Sequence, residues 1–211
     1  MVKWRPLHIE FMETEFEVKF YPVNKEEYRK KLEAVGARLV IPERKMRRTI
    51  FDGRNYPGQF KCDYIRVRDE GNLISMSAKI HAREGGQVAD QKEIEIEVSD
   101  FDQAVEIIKA MGFAPTRYQE SLRESWEYKG TEITIDTWPG LDSFTEIEAE
   151  SEKQVKEVAE KLGFDWEERI VTAVVEIMAR VYGLTIDEVL QKVSHITFEN
   201  NPFTDLTRKS L

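Results

Sequence analysis

In the stretch EFEVKF, Glu15, Glu17 and Lys19 alternate with Phe16, Val18 and Phe20. Residues i and i+2 of a strand share a face about 7 Å apart. A strand here would therefore set two carboxylates and an ammonium on one side. The alternation recurs down the chain. Arg66 and Arg68 fall together in IRVR, and Ser75, Ser77 and Lys79 in SMSAKI. Glu93, Glu95 and Glu97 do so in KEIEIEV, and Ser121, Arg123 and Ser125 in SLRESWEY. Thr134 and Asp136 follow in TEITIDTW, then Glu146 and Glu148 in FTEIEAE. Lysines and arginines in this arrangement can grip phosphate oxygens, and paired carboxylates suit a hard divalent cation such as Mg²⁺ or Mn²⁺. Together they suit metal-assisted phosphoryl transfer. A sheet whose polar side merely faces water would show the same pattern, with surface ion pairs worth at most about 1 kcal/mol each.

The remaining chemistry-bearing residues offer less. His8, His81, His195 and the single Cys62 suggest no Ser-His-Asp or Cys-His pairing, and no GxxxxGK[ST] phosphate loop occurs. Cys62 reads as a passive thiol, and one cysteine cannot form an internal disulfide. Trp126, Trp138 and Trp166 read as packing residues. The basic run Arg44 to Arg48 reads as a solvated strand edge, with a basic cavity entrance as the alternative.

The elements that must position these residues follow from periodicity. Three times an alternating strand leads into a capping residue, an amphipathic helix and a glycine: EFEVKFYPV into NKEEYRKKLEAVGA, EIEIEV into SDFDQAVEIIKAMGF, and FTEIEAE into SEKQVKEVAEKLGF. Asn24, Ser99 and Ser151 are the expected N-caps, with capping-box spacing at Ser151 and Gln154 and again at Thr185 and Glu188. Tyr28, Leu32 and Val35 share a helical face, as do Val105, Ile108 and Met111. Gly36, Gly112 and Gly163 mark the helix ends. Further strands are expected in MRRTIFD, DYIRVRDE and LISMSAKI, and later helices in RIVTAVVEIMARVYGL and TIDEVLQKVS; the tail FENNPFTDLTRKSL reads as irregular. Strands outnumber helices and turn-length loops separate most of them, so an α+β fold with an antiparallel sheet and helices on one side is expected.

Bulk properties narrow the class of function. The 211 residues carry a net charge of −9, against general nucleic-acid binding. No apolar run reaches the roughly 20 residues that span a bilayer, and the N-terminal stretch has no apolar segment of signal-peptide length. A cytoplasmic protein with no membrane partner is expected, its oligomeric state open between monomer and homodimer.

The ordered motifs EFEVK, IRVR, Lys79 in SAKI, KEIEIEV, RESW and IDTWPGLDSFTEIEAE resemble the CYTH superfamily, the triphosphate tunnel metalloenzymes, over roughly residues 11–165. The resemblance implies a closed eight-stranded antiparallel β tunnel with a charged interior, flanked by amphipathic helices. It also implies a single domain over 1–211 with a helical C-terminal extension from about 166. By position, Glu15, Glu17, Glu146 and Glu148 would bind Mg²⁺ or Mn²⁺ with Asp136 assisting. Lys19, Arg66, Arg68, Lys79 and Arg123 would hold the triphosphate, and Glu93 or Glu95 would act on the metal–water side. The catalytic set is then Glu15, Glu17, Lys19, Glu93 and Glu95. The implied activity is hydrolysis of a small-molecule triphosphate (inorganic, nucleoside or thiamine). A class IV-type adenylate cyclase and a non-catalytic binding module are the alternatives. One position departs from the family: Ser121 stands where members often carry a lysine, so a phosphate contact is absent or supplied elsewhere, by Arg117 or Lys192 for example.

Overall fold

The computed structural model describes residues 16–53, 62–81 and 91–209. Nine strands and five helices follow in the order β1 (Phe16–Phe20), α1 (Lys25–Val35), β2 (Arg38–Asp52), β3 (Tyr64–Asp69), β4 (Ile74–His81), β5 (Gln91–Glu97), α2 (Phe101–Ala110), β6 (Pro115–Tyr128), β7 (Thr131–Thr137), β8 (Phe144–Ala149), α3 (Glu152–Lys161), α4 (Val174–Tyr182), α5 (Ile186–Lys192) and β9 (His195–Ile196). Eight strands form one antiparallel path, β1-β8-β7-β6-β2-β3-β4-β5, and β9 lies parallel to β6. The expected antiparallel α+β class is therefore present, but the sheet is not closed by hydrogen bonds. β1 and β5 end the path, and Lys19 at the β1 edge instead exchanges two backbone hydrogen bonds with Ile170, of 2.8 and 2.9 Å.

Most of the apolar side of the sheet is buried beneath α1 and α3 at one end and α2 at the other, while Ile94 and Ile96 of the edge strand β5 stay exposed. Val18, Phe20, Trp126, Ile133, Ile135 and Ile147 pack with Tyr28 and Leu32 of α1 and with Val155, Val158 and Ala159 of α3. Phe51, Ile65 and Val67 pack instead with Phe101, Ala104 and Ile108 of α2. Burying each such side chain stabilises the fold by about 1.5–3 kcal/mol before the cost of ordering it. A third cluster joins Trp138, Leu141 and Phe144 to α4, α5, Ile196 and Phe203. Phe144 pairs with Asp136, so this cluster covers one end of the sheet's polar side.

Local chemistry explains where the elements start and stop. The side chains of Asn24 and Ser151 cap α1 and α3 as expected, but Asp100 rather than Ser99 caps α2, its carboxylate accepting from the backbone of Gln103 at 2.8 Å. The Thr185–Glu188 capping box is complete. Gln154 does not close the other box, because its amide reaches Lys129 and Thr131. Met111 does not belong to the buried face of α2: it terminates that helix and is 52% exposed. The helix expected from Arg169 onward begins only at Val174, since Ile170 is held against β1. β2 is longer than its alternation predicts. It runs through Pro42, and the register shift between Ile41 and Arg44 places the proline in an irregularity where no ladder hydrogen bond is needed from it.

Candidate functional site

Directly opposed residues of antiparallel strands share a face, so the registers can be followed across the sheet. Glu17 opposes Glu148, and Lys19 opposes Glu146. Glu146 opposes Thr134, and Asp136 opposes Arg123. Arg123 opposes Arg44, and further along β2 Arg48 opposes Arg68. Arg66 opposes Ser77, and Arg68 opposes Ser75. Ser77 then opposes Glu95, and Lys79 opposes Glu93. One polar face thus crosses all eight strands and carries the site residues expected on them. Glu15 lies outside the described residues, and Glu93 is placed by its backbone alone.

At one end of this face cations and carboxylates interlock. Lys19, 8% exposed, is ion-paired with Glu17 and lies 3.5 Å from Glu146. Arg123 donates through Nε to Asp136 at 2.8 Å and through Nη2 to Glu146. Asp136 is fully buried, and its second oxygen accepts from Thr134 Oγ1 at 2.6 Å. Burial alone would raise the Glu146 carboxyl, but Arg123 and then Lys19 outweigh it and hold it down at about 2. Asp136 goes the other way, raised by burial and by the neighbouring Glu146 charge against the pull of Arg123. Burial tends to lower Lys19, yet Glu146 and Glu17 leave it raised and firmly charged.

Toward the other end the charge is mostly positive. Arg48, Arg66 and Arg68 are neighbours, and burial together with Arg68, Arg66 and Arg123 pushes the Arg48 guanidinium down to about 9. It remains charged at neutral pH. Arg68 is lowered by burial and then by Arg66. Carboxylates lie beside them among the described residues: Glu70 lies 2.7 Å from Arg68 and 2.9 Å from Arg44, while Glu95 lies 3.7 Å from Arg66 and 3.9 Å from Arg68. Ser75 donates to Glu95 at 3.2 Å.

Arg44 and Arg48 correct the sequence reading of a solvated edge. Arg44 donates to the Glu70 side chain and to the backbone oxygens of Glu70 and Arg123. Arg48 donates to Ser121 Oγ and lies over Trp138 at 4.6 Å. The signal for them is present in the spacing Arg44, Met46, Arg48, but Pro42 and the adjacent Lys45 and Arg47 mask it. Arg117 sits opposite Ile50, one step further along the same face. Cys62 is buried, its thiol pushed up to about 11 by burial and by Asp63 and Asp52, as suits a passive group.

Glu17, Glu146 and Glu148 offer only oxygen donors, which suits a hard divalent cation. Glu17 and Glu148 are directly opposed, an arrangement of like charges that a cation would relieve. Among the described residues no group of three or more such side chains is assembled as a cage, since Lys19 and Arg123 occupy oxygens of Glu17 and Glu146.

A family model described as the CYTH domain matches residues 13–182, and the chain belongs to that family. Members of the family are generally metal-dependent. No curated protein matches the chain. Among solved structures it is similar to a protein of Pyrococcus horikoshii, with 25% identity, a TM-score of 0.63, and coverage of 77% of this chain and 98% of that one. A Vibrio parahaemolyticus protein named as a candidate adenylate cyclase shares 13% identity at a TM-score of 0.65, covering 79% and 98%. A Hippeastrum protein, described as a candidate adenylyl cyclase with a dominant triphosphatase activity, shares 12% at a TM-score of 0.50, covering 81% and 96%. The last two likenesses concern the fold. No helix among the described residues is long and apolar enough to cross a membrane.

Proposed function

We propose that this CYTH protein is a divalent-metal-dependent hydrolase of small triphosphates, acting on a substrate laid across the polar face with the sheet curled round it as a tunnel. The observation that carries this reading is the division of that one face into an arginine-rich part and a carboxylate part. Arg66, Arg68, Lys79 and Arg123 hold phosphate oxygens, and Lys19 neutralises the segment nearest the carboxylates. Glu17, Glu146 and Glu148, with Glu15, hold Mg²⁺ or Mn²⁺. When bound, the cation neutralises charge on the phosphate oxygens and lowers the pKa of a bound water. Asp136, locked between Arg123 and Thr134, orients Arg123 rather than meeting solvent. Glu95 orients a water for attack on the terminal phosphorus. The new O–P bond forms as the bridging O–P bond breaks, and the water proton passes to a Glu95 carboxylate oxygen and on to solvent. Positioning and charge neutralisation carry most of such a reaction.

The test is to incubate the protein with tripolyphosphate or ATP, with Mg²⁺ or Mn²⁺, and resolve orthophosphate, pyrophosphate and cyclic AMP. Orthophosphate release that disappears in Glu15→Ala/Glu17→Ala protein is the expected result. Cyclic AMP with pyrophosphate would instead establish the cyclase. Tight tripolyphosphate binding without turnover would identify a binding module.

A further inference from the structure

We infer that Arg48 is an additional phosphate-binding residue of this site, holding an anionic phosphate group of the substrate against the Trp138 end of the polar face. The inference rests on the triphosphate reading above and adds to it a contact that the sequence motifs do not assign.

Three observations support it. First, Arg48 is held at a fixed place. Its guanidinium donates to Ser121 Oγ on the neighbouring strand and lies over the Trp138 ring at 4.6 Å. Ser121 itself is fully buried, so its short side chain serves as a rest for the arginine of β2 rather than reaching a ligand.

Second, the surrounding charge is unbalanced. Arg66, Arg68 and Arg123 each act on Arg48 more than the opposing carboxylate Asp136 does, and Asp136 is already bonded to Arg123 and Thr134. Like charges gathered in a partly desolvated place destabilise the fold unless an anion joins them. Sites that bind ligands commonly hold such locally unfavourable arrangements.

Third, donors are waiting. Nε of Arg48, Nε of Arg68 and Oγ of Ser77 are buried and have no hydrogen-bond partner among the described residues. Ser77 is only 2% exposed. Buried donors are nearly always satisfied in folded proteins, so several on one face call for a multidentate acceptor. A phosphate group, with several oxygens and a charge of about −2, meets both the donors and the excess of positive charge. The adjoining apolar cluster of Trp138, Phe144 and Ile196 walls that end of the face, so a chain end suits it better than a through-running polymer.

The test is calorimetric titration of the intact protein with tripolyphosphate and with ATP, each with Mg²⁺, for wild type, Arg48→Gln and Arg48→Lys. Gln keeps a planar hydrogen-bonding head on a shorter stem but loses the charge; Lys keeps the charge and loses the fork. Binding is expected to weaken about 10- to 100-fold in Arg48→Gln and by less in Arg48→Lys. Thermal melting without ligand is the readout that a purely structural role would move the other way. Arg48→Gln relieves arginine repulsion, so it should melt no lower than wild type. Gln protein that binds within twofold of wild type, or Lys protein that binds no better than Gln, would overturn the inference. Wild-type protein that binds neither ligand would bring down the triphosphate reading itself, a result separable from the Arg48 comparison.

Discussion

Arg123 neutralises two carboxylates at once, and its removal can be worked through. Arg123→Met leaves Asp136, which is fully buried, facing Glu146 without the cation between them. Two charge-assisted hydrogen bonds disappear, each worth about 1.5–3 kcal/mol. Breaking a buried ion pair from one side typically costs about 3–5 kcal/mol. Lys19 still supports Glu146, so a loss of about 4 kcal/mol at pH 7 is expected. The loss must depend on pH. In wild type Glu146 is held down at about 2, so its contribution is full above its unfolded pKa and lost as pH falls through about 2. Without Arg123, burial and Glu146 raise Asp136 further above its unfolded value. A carboxyl raised on folding destabilises increasingly as pH climbs from that unfolded value toward the folded one. The mutant's deficit should therefore shrink from pH 7 to pH 5. Urea unfolding at both pH values measures it, and adding Asp136→Asn should return about half by removing the stranded charge. A deficit under about 1 kcal/mol at pH 7, or one equal at pH 5 and pH 7, would show that solvent rather than Arg123 neutralises these groups.

Two further outcomes are expected. Glu124, 3% exposed on the apolar side, accepts from Arg29 Nε and Nη2 at 3.1 and 2.6 Å and from Trp126 Nε1 at 2.6 Å; Arg29→Met should lower urea stability by about 3 kcal/mol, whereas Glu26→Ala, on the exposed partner of the same arginine, should change it by less than about 0.5 kcal/mol. The Cys62 thiol, pushed up to about 11, should react with iodoacetamide at pH 8 far more slowly than the urea-unfolded chain, whose thiol titrates near about 8.5; equal rates, followed by intact mass, would mean that the thiol is not shielded.

Much of the polar face is legible in the sequence because a strand's period of two is blunt and unambiguous. Glu17 to Lys19, Arg66 to Arg68 and Glu146 to Glu148 mark a polar side by their spacing alone. What alternation does not reveal is which strands neighbour one another. The partnership of Arg123 with Asp136 and Glu146, and that of Arg48 with Ser121, follow only from the order β8-β7-β6-β2. Arg48 lies in the expected strand MRRTIFD, but the adjacent Arg47 hides which side is the polar one; Arg44 escapes the sequence reading for another local reason. Pro42 argues against a continuous strand, and only a shift of register lets β2 pass it. The closed tunnel drawn from resemblance is met by a sheet whose β1 edge is bonded to Ile170 instead of to β5. An edge satisfied from a distant segment leaves no trace in periodicity.

That bond to Ile170 also bears on how the molecule comes into being. β1 lies between β8 and residue 170, so an early part of the chain finds both its neighbours near residues 145–149 and 170. During synthesis, at about 5–20 residues per second, β1 would wait many seconds with Val18 and Phe20 covered by α1 at most, before β8 and α3 arrive. Pairings so distant in sequence close slowly, because loop entropy is lost before contacts compensate for it. Lys19 accordingly meets Glu146, and Glu17 meets Glu148, only late in that process. The charged centre is among the last things to be assembled, and a chain stalled before residue 144 carries a complete β2–β5 but no such centre.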